Sequence, residues 1–274
     1  MQRRKPAYQI IDGVPRCIAL TPDRLRGSLH FRAKEGDLVQ STFPKSGTHW
    51  LLYITQLILR NGQPMTTYQD FAKEWRFLEY MDIKNFSSSL PLRTFVTHLA
   101  LDKRTMTEEG KYIYLTRNPW DICVSFYHMM TNMSLFGFQD GKFEDFVDAF
   151  IGGHLGYGDY FEHVAAGYAL RKQPNVLFVA YEELKKNTRE EVLRVAYFLG
   201  EQYGRSLEQD GHEGDENKYA YVRTGKVGGW RDHFTPDLLR KMESRILEAE
   251  KQSTFMDLWK DLRAETLTRM RDAE

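Results

Sequence analysis

The sequence predicts an α/β fold: one domain over residues 1–274, with a central, mostly parallel sheet flanked by helices. Three observations predict it. Short apolar segments alternate with helical ones along the chain. The stretch from Asp37 to Gly62 reads as a strand feeding a helix through the turn Pro44-Lys45-Ser46-Gly47-Thr48. Residues able to do chemistry recur at strand ends, where an open parallel sheet holds its ligands.

Residues 1–36 are turn-rich (Asp12-Gly13-Val14-Pro15, Thr21-Pro22-Asp23) and are expected to wrap the surface before the first strand. Leu38 to Phe43 is apolar or β-branched at alternate places and bounded by Gly36 and Pro44, so it reads as a strand. Trp50 to Leu59 is apolar almost all round and stops at Asn61-Gly62, as a helix does. Gly62 to Leu90 is less regular and carries Phe71, Trp75, Phe77, Leu78, Tyr80 and Met81. Leu92 to Thr97 is a second strand ending at His98, and Lys111 to Thr116 a third, closed by Arg117-Asn118-Pro119. A helix follows from about Trp120 to Met130. Ser134 to Gly141 has no period and reads as a mobile lid. Helices are expected over Phe143–Phe150 and Tyr157–Lys172, then a buried strand over Val176–Tyr181. Thr188-Arg189-Glu190-Glu191 has the form of a capping box opening a helix to Leu199. Residues 201–222 are polar and acidic and are expected to be flexible. Thr235-Pro236 opens the last long helix, threonine as cap and proline in its first turn.

Composition narrows the function classes. With 38 basic and 38 acidic residues the formal net charge is zero, so no bulk attraction to nucleic acid or a membrane surface is expected, and any anion site must be local. Cys17 and Cys123 form neither a disulfide framework nor a metal spacing, which fits a reducing, cytoplasmic location. No leader or membrane-spanning run is evident, and no metal is expected.

Four features carry possible chemistry. A strand entering a helix through a tight turn leaves the first helical N–H groups unpaired, and the helix dipole favours an anion there. The turn at Lys45 therefore reads as a phosphate cradle, P-loop-like but not the triphosphatase loop, because its lysine precedes its glycine. Read by itself it is also compatible with an ordinary turn carrying a surface lysine. Arg117 ends the third strand, with Ser125 eight residues on, and a guanidinium fork with a hydroxyl grips a phosphate well. His98 ends the second strand and has the chemistry of a general base near neutral pH, although one histidine among eight is often a core residue. Arg223-Thr224-Gly225-Lys226-Val227-Gly228-Gly229-Trp230 is a basic, glycine-rich loop suited to a further phosphate oxygen.

On these residues the chain resembles the cytosolic sulfotransferase family, which moves a sulfuryl group from 3′-phosphoadenosine 5′-phosphosulfate (PAPS) to a hydroxyl or amine. Thr42 to Trp50 resembles its 5′-phosphosulfate loop, Tyr112 to Ser125 its 3′-phosphate motif, and Thr97-His98-Leu99 its catalytic-histidine segment. Tyr157 to Val164 resembles a family helix start, Tyr181 to Lys185 the segment that contacts adenine, and Arg223 to Phe234 the terminal phosphate loop. The resemblance implies His98 as base and Lys45 as the cation on the bridging and leaving oxygens. It implies Ser46, Gly47, Thr48 and His49 around the 5′-phosphate, with Arg117, Ser125, Arg223, Thr224 and Gly225 around the 3′-phosphate. Trp50 and Tyr181 would hold adenine, and 3′-phosphoadenosine 5′-phosphate (PAP) would be the product. Phe77, Tyr80, Phe136 and Phe138 are expected to line a pocket for a small aromatic acceptor such as a phenol or catecholamine.

The departures are equally specific. Val96 stands where the family usually has lysine, His49 and Thr224 replace a threonine and a lysine, and the segment between Gly200 and Arg223 is short. Arg231, Thr235-Pro236 and Arg240 occupy the places of the family's dimer signature, so pairing by that segment is not expected. The alternative function is a PAPS- or PAP-binding protein with weak or no catalysis. A kinase is disfavoured by the order of the turn and by the lack of an evident Mg²⁺-binding acid.

Overall fold

The computed structural model describes residues 4–210 and 227–273. Five parallel strands make the sheet, in the order β4-β5-β3-β6-β7. β3 (Asp37–Thr42) is central; β5 (Arg93–Thr97) and β4 (Trp75–Phe77) lie on one side, and β6 (Lys111–Thr116) and β7 (Val176–Ala180) on the other. Because the chain leaves β3 towards one edge and returns to the other, the carboxyl end of β3 is where a ligand crevice opens. A separate antiparallel hairpin, β1 (Tyr8–Ile11) and β2 (Val14–Cys17), turns at Asp12-Gly13, both with positive φ.

The helices follow in chain order: α1 (Pro22–His30), α2 (Thr48–Leu59), α3 (Tyr68–Ala72), α4 (Pro119–Asn132), α5 (Phe143–Ile151), α6 (Tyr160–Ala169), α7 (Tyr181–Lys186), α8 (Thr188–Leu199), α9 (Glu201–Asp210), α10 (Pro236–Glu250) and α11 (Lys260–Arg271). Alternation along the strands sorts the core into layers. Leu38, Ile113, Leu115 and Val179 face α2 and α8, while Val39, Phe95, Tyr112 and Val176 face the opposite side with Leu101 and Leu170. A third cluster, centred on Phe43, Phe126, Phe146 and Trp230, packs α4, α5, α6 and α10 beyond the strand ends.

Several expectations need correction. Thr21-Pro22 opens a helix, α1, with Thr21 accepting from the Arg24 N–H; it is the same threonine–proline start that begins α10. Within the irregular 62–90 stretch Trp75–Phe77 is an edge strand, too short for a periodic signal. The helix expected from Tyr157 begins at Tyr160, capped by Asp159, because Gly156 and Gly158 hold positive φ. The capping box at Thr188 is not formed: Asn187 is the cap residue, and no side chain accepts a cap hydrogen bond from the helix. Residues 201–210, expected to be flexible, form α9, whose Tyr203 and Leu207 pack on the α2–α8 layer; the rest of 201–222 lies outside the described residues.

The lid expected over Ser134–Gly141 is a single tight turn pinned to the body. Ala7 N–H donates to the Phe136 carbonyl at 2.8 Å, and the Tyr127 hydroxyl to that of Gly141 at 2.9 Å. Phe136 and Phe138 are 2% and 0% exposed, packed in the core with Phe146 among their neighbours. They are core residues and do not line an open pocket, because two aromatic rings in the short connection before α5 are drawn into the cluster beneath it.

Candidate active site

The turn after β3 has a geometry able to receive an anion. Lys45 and Gly47 both hold positive φ, 74° and 110°, which folds the chain sharply back into α2. Gly47 is the N-cap, so no side chain caps the helix. The first-turn N–H groups are thus left to whatever sits at the strand end. The Ser46 hydroxyl is fully buried and has no hydrogen-bond partner among the described residues, the mark of a group kept for a ligand. A Cβ on Gly47 would stand 2.9 Å from the Tyr181 ring, so glycine is needed for close approach as well as for φ. Tyr181, at the start of α7, lies edge-on to Trp50 (5.3 Å between centroids), and the two make an aromatic wall beside the turn.

Arg117 continues β6 next to this wall, its guanidinium 4.5 Å from the Tyr181 ring centre and 3.8 Å from Asp121 Oδ2. Asp121 and Ser125 are spaced at i and i+4 on one face of α4, and Arg117 stands just before the Asn118 cap of that helix. Asp121 is a hub. Its backbone N–H donates to Asn118 Oδ1 (2.8 Å), and it accepts from Asn118 Nδ2 (2.9 Å), Gly228 N–H (2.7 Å) and Trp230 N–H (3.1 Å). Asn118 in turn donates twice to Glu182, whose other oxygen accepts from Trp259 Nε1 (2.8 Å). Burial raises the Glu182 carboxyl above its ordinary range. Arg223, Thr224 and Gly225 lie outside the described residues.

His98 ends β5, the neighbour of β3 on the side away from Arg117. Its Nδ1 is 2.7 Å from the Thr42 carbonyl, and a carbonyl only accepts, so the proton resides on Nδ1. That tautomer leaves the Nε2 lone pair able to accept a proton. Burial, with lesser contributions from His49 and Lys45, pushes the pKa down to about 4, so the imidazole is neutral at pH 7. Thr42 Oγ1 bonds Thr48 Oγ1 at 2.8 Å, tying the histidine's anchor to the first residue of α2. The backbone of the segment is fixed from both sides: His98 N–H and the Thr97 hydroxyl donate to Glu79 Oε1 (2.6 and 3.0 Å), and His163 Nε2–H donates to the His98 carbonyl (3.3 Å). Burial pushes the Glu79 carboxyl up to about 7 and the His163 imidazole down to about 3.

Around His98 stand Phe77 (4.7 Å between ring centroids) and Tyr157 (5.8 Å), with Tyr80 against Phe77 at 5.2 Å. Burial raises the Tyr80 and Tyr157 hydroxyls above the ordinary phenol range. The expected Phe77 and Tyr80 are therefore brought to the histidine, whereas Phe136 and Phe138 are not. Tyr157, Glu79 and Asp121 were not anticipated as parts of the site, since nothing local in the sequence separates them from helix-start and core residues. His49 stands at the start of α2 beside Phe71 and Trp75, and desolvation by these neighbours, with Lys45 nearby, lowers its pKa. Val96 is fully buried with Leu52, Phe71 and Trp75. A cavity of about 650 Å³ opens behind the histidine segment, walled by Arg16, Leu78, Leu101, Tyr157 and His163, and does not reach the Lys45 turn.

Comparison with known proteins gives a consistent result. The model of the sulfotransferase domain matches residues 35–254. Sulfotransferase 1E1 of Bos taurus is 30% identical over 259 residues, covering 82% of this chain and 87% of that protein. Among solved structures, mouse sulfotransferase SULT7A1 complexed with PAP superimposes with a TM-score of 0.70 at 24% identity, covering 93% of this chain and 99% of that one. Retinol dehydratase in a complex with retinol and PAP follows at 0.66 and 22% identity, covering 86% and 88%.

Proposed function

The chain belongs to the sulfotransferase domain family, and from that premise we propose that it transfers the sulfuryl group of PAPS to a hydroxyl or amine of a small, aromatic acceptor. One observation carries the reading. A histidine whose Nδ1–H is held by the Thr42 carbonyl stands beside the uncapped first turn of α2, so a base and an anion cradle sit at the ends of two neighbouring strands. His98 Nε2 takes the acceptor's proton as its oxygen or nitrogen attacks sulfur. The new bond to sulfur forms as the bond from sulfur to the bridging phosphate oxygen breaks. Lys45 and the N–H groups of the turn stabilise the charge left on the phosphate. Ser46, Gly47, Thr48 and His49 surround the 5′-phosphate, Arg117 and Ser125 hold the 3′-phosphate, and Trp50 and Tyr181 flank adenine. The family resemblance adds Arg223, Thr224 and Gly225 to the 3′-phosphate. Positioning and charge stabilisation supply most of such an in-line transfer.

The acceptor lies against Phe77, Tyr80 and Tyr157, a ring-lined corner that suits a phenol or catecholamine. Two solved neighbours hold retinol and androsterone, which widens the acceptor classes worth testing to larger apolar alcohols. The two free, buried cysteines support a cytoplasmic location. One feature favours the competing reading of a nucleotide binder: Val96 leaves an apolar, buried side chain where the family usually has lysine. Labelled-sulfate transfer from PAPS to a panel of phenols, amines, steroids and alcohols, with melting curves in PAP and in AMP, decides between them. Turnover on at least one acceptor and a larger stabilisation by PAP are expected. PAP stabilisation without any turnover would favour the binder, and equal shifts in PAP and AMP would remove the 3′-phosphate site.

A further inference from the structure

α11 lies beyond the region matched by the family model, which ends at residue 254, yet its contacts converge on the phosphate corner. Glu265 on α11 grips Arg231 through both carboxylate oxygens, with Nε to Oε1 at 2.5 Å and Nη2 to Oε2. Arg231 then reaches back: its Nη1 donates to the Gly228 carbonyl at 3.0 Å. Gly228 takes φ 89°, and a Cβ there would collide with Arg231 Nη1, so the guanidinium is seated directly on the turn. The N–H of Gly228 donates to Asp121 Oδ2, the oxygen that faces Arg117. A second line of contact runs in parallel. Arg269 donates to the Arg231 carbonyl (3.1 Å) and stands 5.3 Å from the Trp230 ring centre, and the Trp230 N–H also ends on Asp121.

From this chain of contacts we propose that Glu265 is a positioning residue for the nucleotide's 3′-phosphate, acting through Arg231, the Gly228 turn and Asp121 on Arg117. The inference rests on the donor assignment above. The physical reason is that Asp121 competes with a bound phosphate for Arg117. Asp121 stays 3.8 Å from the guanidinium while its two oxygens are occupied by the Gly228 and Trp230 N–H groups. When the Gly228 turn loses its clamp, the carboxylate is released from those donors and is drawn towards the arginine, withdrawing it from the phosphate. A bidentate carboxylate–guanidinium pair enforces planar geometry that an amide or a lone cation does not.

The test compares the full-length wild type with Glu265→Ala, Glu265→Gln and Glu265→Asp, by calorimetric titration with PAP and with AMP and by kcat at saturating donor. The expected result is a PAP affinity weakened about five- to tenfold in the alanine and glutamine variants. AMP affinity and kcat are expected within about twofold of wild type, with most of the PAP affinity regained by aspartate. If the alanine variant does not fold, the near-isosteric glutamine variant decides. PAP affinity unchanged in a folded variant, or equal losses for PAP and AMP, would overturn the positioning role. A wild type that binds AMP as tightly as PAP would overturn the donor assignment itself, and this inference with it.

Discussion

Replacing His98 tests the base directly, and the structure sets the size of the effect. A phenol or alcohol attacks poorly until its proton leaves, and general-base assistance is worth about 10²–10⁴-fold. His98→Ala is therefore expected to lower kcat by at least about 10²-fold while PAP affinity stays within about twofold, because the imidazole faces the acceptor. The pH profile is a sharper test. With Nδ1–H fixed on the Thr42 carbonyl and burial pushing the pKa down to about 4, most of the base is neutral at pH 5. An imidazole titrating at its ordinary value would be only about 3% neutral at that pH, so the two cases differ in kcat by roughly thirtyfold. The assay is kcat for labelled-sulfate transfer between pH 4 and 8, at saturating PAPS and with an acceptor that does not titrate in that range. An acidic limb centred near 6.5, or turnover that survives His98→Ala within about threefold, would refute the assignment.

Three further substitutions separate site from core and acid-labile from acid-stable groups. Phe77→Ala is expected to raise the acceptor KM with donor binding spared, since its ring abuts His98. Phe138→Ala is expected to cost about 3–5 kcal/mol of stability, read by denaturant titration, with no selective effect on the acceptor. His163, pushed down to about 3, takes its proton first in the unfolded chain; its contribution to stability is complete above about pH 6.5 and is lost as pH falls towards 3. His163→Gln is therefore expected to reduce the drop in Tm between pH 7 and pH 4.5 by roughly 5 °C, from about 2–3 kcal/mol of proton linkage. An undiminished drop would place the acid sensitivity elsewhere. Glu79 acts in the opposite sense: its carboxyl, raised to about 7, contributes fully below about pH 4.5 and its contribution is lost as pH rises through 7.

The parts whose physics is local were legible along the chain. The strand, tight turn and helix around Lys45 are contiguous, so alternation, Gly47 and the stop at Asn61-Gly62 declared them together. Arg117 and Ser125 were legible for the same reason, being a strand end and a point two helical turns onward. Caps were read unevenly: Thr235-Pro236 was recognised and the same pair at Thr21-Pro22 was not, because α1 is short and weakly apolar. The remaining groups are defined by partners far along the chain and became visible only once the chain had folded. The tautomer of His98 depends on a carbonyl 56 residues away, and the hold of Asp121 on Gly228 spans 107 residues. Tyr157 joins the rings around His98 and Phe138 stays in the core because the side-chain cluster beneath α5 fills with the nearer rings. Nothing in an aromatic residue's own neighbourhood says whether its ring will pack inward or face a ligand. That choice is made by the volume left when the layers close, and volume is a property of the assembled fold.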